Sequence, residues 1–81
     1  MAQQEQRPLR VIVQDIFFDW EQMDRRAMDL LPIIGKVVDV EEEYDGLTGK
    51  QAIGMFLSYS SQWRSEVATK VKKELRQYIN I

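Results

Sequence analysis

The sequence predicts an all-α fold, a compact bundle of three or four helices. Apolar residues recur at three- and four-residue spacing along most of the chain, the pattern of helices with one buried face. Turn signals at Pro32 and at Asp45-Gly46-Leu47-Thr48-Gly49 cut that pattern into lengths suited to a bundle. The 81 residues include no Cys and no His, so neither a disulfide nor a thiolate or imidazole metal site substitutes for a packed core. A chain this short forms one domain and buries only about 60% of its unfolded surface. The expected organisation is a disordered tail over 1–7 and a single helical domain over 8–81.

Pro8 suits a first helical position, where its missing N–H costs nothing. Leu9, Ile12, Val13, Ile16, Phe17, Trp20, Met23, Ala27, Leu30 and Leu31 then follow helical spacing. They predict one helix over 9–31, despite the β-branched start at Val11-Ile12-Val13. Val11 and Phe18 lie off this stripe, so the first half of the helix is apolar around much of its circumference. Such a helix is central in the fold or shared with a partner.

Pro32 punctuates the chain. Ile33 to Tyr44 reads as a further helix, with α+β as the alternative fold class: a short strand near 36–44, paired with Arg10–Gln14. Gly46 fits a left-handed helix C-cap and Thr48 an N-cap. Ala52, Ile53, Phe56, Leu57, Trp63, Val67, Val71, Leu75 and Tyr78 resume helical spacing. The serines of Ser58-Tyr59-Ser60-Ser61 weaken a helix interior. The segment is therefore one long helix or two, over 49–57 and 62–79.

The charge is polarised. Residues 1–46 carry eleven acids and five bases, and residues 47–81 carry two acids and six bases. The basic C-terminal segment is expected to pack beside the acidic half, in one copy or across a dimer, more than to face a polyanion. The polar start lacks an apolar signal-peptide core, and no apolar run approaches the ~20 residues of a membrane span. The expectation is a cytoplasmic protein.

Three motifs bear on chemistry. Gly46, Gly49 and Lys50 supply part of a phosphate-binding loop, but the glycines are too close together and Gln51 stands where a Ser or Thr would hold magnesium. Glu41, Glu43, Asp45 and Gly46 match part of a calcium loop, but Ala52 falls where its bidentate Glu belongs. The reading is an acidic turn, with no cofactor and no metal. Asp15 and Asp19 share a helix face, as paired carboxylates can in catalysis. With Arg25 and Arg26 close by, they read as a charged solvent face. Residue types leave a Ser–Lys or carboxylate mechanism open, but a helical chain this short has little room for a deep pocket, and no enzyme is expected.

Residues 47–77 loosely resemble a helix-turn-helix. That resemblance places Ser61, Gln62, Arg64 and Ser65 at the exposed start of a second helix, toward base edges and phosphates, with Lys70, Lys73 and Arg76 on phosphates. It departs from the motif at Ser58, where a Gly is usual, and at Trp63, one residue early. The function expected first is a non-enzymatic regulatory or adaptor module that contacts a protein partner, including a second copy of itself. Phe18, Trp20, Tyr59 and Trp63 are its candidate interface residues, because Tyr and Trp anchor interfaces and each lies at or off the edge of its stripe. A small DNA-binding protein is the alternative.

Overall fold

The computed structural model describes residues 7–79, and within them the chain forms four helices and one two-stranded hairpin: α1 (Leu9–Asp19), α2 (Arg25–Lys36), β1 (Glu43–Tyr44), β2 (Leu47–Thr48), α3 (Gly49–Tyr59) and α4 (Glu66–Ile79). The helices pack in a ring, α1 on α2, α2 on α3, α3 on α4 and α4 back on α1. This is the expected helical bundle, with the strand alternative realised in miniature. Residues 1–6 of the expected tail lie outside the described residues. Arg7 lies within them and is tied to α1 and α4.

The expected helix over 9–31 is two helices. Trp20 leaves helical geometry (φ −98°, ψ 87°), and Asp24 caps α2 by accepting from the Arg26 N–H at 2.8 Å. Periodicity runs through the break because Trp20 and Met23 turn inward from the linking segment just as helical residues would. Pro32 does not end a helix. It sits inside α2 on the exposed side, where the Met28 carbonyl that it leaves without its usual donor can meet water.

Residues 37–42 are neither the expected helix nor a strand on Arg10–Gln14, which belongs to α1. β1 pairs instead with β2, Glu43 opposite Thr48 and Tyr44 opposite Leu47. Asp45 (φ 56°) and Gly46 (φ 83°) make the connection, both left-handed, as a two-residue hairpin turn requires. Gly46 is thus a turn residue and not a helix cap. Thr48 does cap α3: its hydroxyl accepts from the Gln51 N–H, and the Gln51 side chain accepts from the Thr48 N–H.

The last segment is two helices, with the break at 60–65. Ser60 is fully buried, and its hydroxyl returns to the Leu57 carbonyl at 3.0 Å. The Lys72 ammonium donates to the carbonyls of Ser60 and Trp63, each at 2.7 Å, and so closes the end of α3 and the link to α4. Burial, then Arg76 and Arg64, pull the Lys72 pKa below its ordinary value, while these two carbonyls hold the charged form in place. Ser65 starts α4 by accepting from the Ala68 N–H.

The core has an aliphatic part and an aromatic part. Ile12, Ile16, Leu31, Ile34, Ile53, Val71 and Leu75 fill the middle. Toward the C-terminal end of α1, Trp20 and Trp63 stack with ring centres 5.4 Å apart and planes 5° from parallel, and Phe56 meets both edge-on. Among the described residues, no buried side-chain polar atom lacks a partner.

Candidate functional site

α1 and α4 lie antiparallel. Arg7, beside the start of α1, reaches Glu74 near the end of α4, while Asp19, at the end of α1, reaches Trp63 and Ser65 just before α4. Asp19 Oδ2 accepts from the Trp63 indole N–H at 2.8 Å and from the Ser65 hydroxyl. This carboxylate therefore fixes how the end of α1 meets the start of α4.

That junction leaves an apolar projection. The α1 stripe of Leu9, Ile12 and Ile16 points inward, so Phe17 and Phe18 fall on its outer side, 54% and 85% exposed. A shallow hollow of about 250 Å³ lies against Phe18, lined also by Asp15, Asp19, Val67 and Lys70. The other aromatics are sheltered: Trp20, Phe56 and Trp63 are buried, and Tyr44, Tyr59 and Tyr78 are partly buried.

Of the four candidate interface residues, only Phe18 stands out in solvent. Trp20 and Trp63 are core residues, because each returns to the interior from a link between helices rather than from a helix flank. Tyr59 lies half-buried under Arg26, whose guanidinium carbon sits 4.4 Å from the ring centre. Arg26 is held there by Asp24 through contacts of 3.1 and 3.0 Å. The Arg26 side chain pulls the Asp24 pKa down to about 2. The contribution of that pair is complete above the ordinary carboxylate range and is lost as pH falls through about 2. Phe17 shares the helical spacing of the buried stripe and yet is exposed. No sequence signal marks it; in the structure it lies one turn after Val13, itself only partly buried.

The residues of the helix-turn-helix resemblance are not brought together as that motif needs. Ser61, Gln62 and Arg64 lie in the link before α4 and not on a helix start. The Arg64 guanidinium donates to the Ser61 carbonyl at 3.3 Å, and Ser65 is occupied by Asp19 and the Ala68 N–H. The link spans residues 60–65, longer than the three or four residues of the motif's turn. Lys70, Lys73 and Arg76 are exposed on α4 and form no salt bridge among the described residues.

The acidic turn has local work. Glu42 accepts from the N–H groups of Val38 and Asp39, and Asp39 accepts from that of Glu41. The amides that a phosphate loop would offer are taken: Gly49 N–H by the Glu42 carbonyl, Lys50 N–H by the Val40 carbonyl, and Gln51 N–H by the Thr48 hydroxyl. Among the described residues, no three Asp or Glu side chains gather as metal ligands, and no helix is long and apolar enough to cross a membrane. Asp15 is bound to Arg7 at 2.8 Å, so both members of the Asp15/Asp19 pair are engaged in structural contacts. The Arg7 pKa is raised by Glu74 and then by Asp15, and burial followed by Glu74 raises that of Tyr78, whose hydroxyl donates to the Arg7 carbonyl.

Compared with known proteins, the chain matches no family model, no curated protein and no solved structure.

Proposed function

We propose that this chain is a small non-enzymatic regulatory or adaptor module of the cytoplasm, acting through protein–protein contact at the Phe17/Phe18 end of α1. The observation that carries the reading is the exposure of two consecutive phenylalanines, with Phe18 beside Val67, in a protein that shelters its other six aromatics. An isolated surface hydrophobic needs no explanation. Phe18, exposed with Val67 beside it and Phe17 on the next position of the same helix, offers an aromatic anchor of the kind that dominates contact energy at interfaces. The paired carboxylates of α1 are engaged in holding helices together, which supports a binding role over a chemical one.

A photo-activated cross-linking residue at position 18 tests this in extract of the cells that make the protein. Discrete adducts are expected from position 18 and none from Gln51, an exposed position on α3. Equal labelling from both positions, or none from either, sinks the reading.

The DNA-binding reading keeps one support, the exposed basic face of Lys70, Lys73 and Arg76, which forms no salt bridge among the described residues. The expected result with labelled random duplex at low salt is an anisotropy that stays at the value of free DNA. A rise that collapses steeply with added salt would put that face on phosphates.

A further inference from the structure

We propose that the partner at the Phe18 projection is a second copy of this chain, docked head to tail, with Phe18 of one copy seated in the hollow beside Val38 of the next. This rests on the interaction reading above and names its partner. The structure supplies both halves of such a contact at opposite ends of α1. At the C-terminal end stands Phe18. At the N-terminal end, Pro8, Leu9, Arg10, Lys36, Val38 and Tyr78 surround a hollow of about 160 Å³. A cavity of roughly 150 Å³ holds a benzene ring, so the hollow matches a phenylalanine side chain in size. Val38 on its rim is 86% exposed, matched among the large apolar residues described only by Phe18.

Charge complements shape. Arg10 and Lys36 line the hollow, and neither takes part in a salt bridge among the described residues. Asp15 and Asp19 line the surface beside Phe18 with Lys70; Arg7 also meets Asp15 but is shared with Glu74, so these three acids and two bases remain net negative. The charged side chains lining the hollow are therefore cationic, with the Glu42 carboxylate on the Val38 N–H at its rim, and those around Phe18 are net anionic. Nine residues of helix separate Leu9 from Phe18, about 14 Å at the helical rise, so the two features form separate patches. A contact between unlike patches leaves one of each unused, and the assembly grows beyond a dimer or closes as a ring. One ring in one hollow is a small interface, so the association belongs to the weak class and falls with added salt.

Sedimentation equilibrium of the purified chain tests this up to about 1 mM, the affinity range of small transient contacts. The average mass is expected to rise past that of a dimer. Phe18→Ser, and separately the double variant Lys36→Glu/Val38→Glu, are expected to weaken association by about tenfold or more. All three positions are on the surface, and far-UV circular dichroism should match the parent in each variant. The deciding sample is the equimolar mixture. The Phe18→Ser chain retains its hollow and the other variant retains its projection, so together they should form a one-to-one complex that grows no further. Three results overturn the proposal: a parent chain that stays monomeric, variants that assemble like the parent, or a mixture that stays monomeric while the parent assembles. A monomeric parent that still gives adducts from position 18 in extract would leave the interaction reading standing with a foreign partner. Absence of both would remove the two together.

Discussion

Trp63→Ala is expected to lower the unfolding free energy by about 3–5 kcal/mol, read as a shift of the urea midpoint with little change in slope. An 81-residue domain has roughly 4–12 kcal/mol in total, so this one change takes the protein to the edge of unfolding. Two losses combine. The indole is 3% exposed, and its removal opens a void between Trp20 and Phe56, which both lean on it. The indole N–H also holds Asp19 at 2.8 Å, and Asp19 orients the end of α1 on the start of α4. Trp63→Phe separates the two. It keeps most of the apolar volume and removes only the donor, with an expected cost of about 1–3 kcal/mol, since Ser65 still binds Asp19. The near-ultraviolet circular dichroism of the stacked indoles should vanish in both variants. An Ala variant within about 1 kcal/mol of the parent would mean that the aromatic stack is not part of the stabilising core.

The same residue shows where reading from sequence stops. Helical spacing identifies the core-facing positions and hence the fold class, because burial is what periodicity records. It does not record whether the backbone between two buried residues is helical. Trp20 and Met23 face inward from a link, so two helices read as one. Trp63 enters the core from another link, so by spacing it resembles an edge residue free for a partner. Pro32 reads as a breaker because its missing N–H and ring disturb a helix interior, yet it lies on the solvent side of α2, where the helix continues through it. The charge polarity between the two halves is visible in the sequence, and α4 does pack on α1. The ion contact between them runs the other way, however: Glu74 of α4 meets Arg7, which also binds Asp15. Of the candidate site, Phe18 is legible because it is off the stripe. The hollow beside Val38 is not, since it is built from the ends of α1, α2 and α4, and no local pattern announces a surface shared by three distant segments.

Two glycines of α3 should respond to the same substitution with opposite signs. A Cβ on Gly49 would lie 2.9 Å from Val37 Cγ2, 3.0 Å from the Val40 Cα and 3.2 Å from the Val40 carbonyl oxygen. Two of these atoms are backbone, fixed by the bond from the Lys50 N–H to that same carbonyl. The loop cannot yield without losing the contacts that close the start of α3. Gly49→Ala is therefore expected to destabilise by about 1–3 kcal/mol, although alanine is the better helix former. Gly54, five residues on, has no atom within 4 Å of its would-be Cβ. Gly54→Ala is expected to stabilise by about 0.5–1 kcal/mol through helix propensity alone. Thermal or urea unfolding of the two variants beside the parent measures both. The glycines of the Gly46-Leu47-Thr48-Gly49-Lys50 stretch have structural reasons: Gly46 serves the left-handed turn, and Gly49 lets the acidic loop lie directly on the helix start, which satisfies the amides there from within the chain. Gly49→Ala equal to or better than the parent would mean that this loop does not rest on the helix, and that those amides are open to a ligand after all.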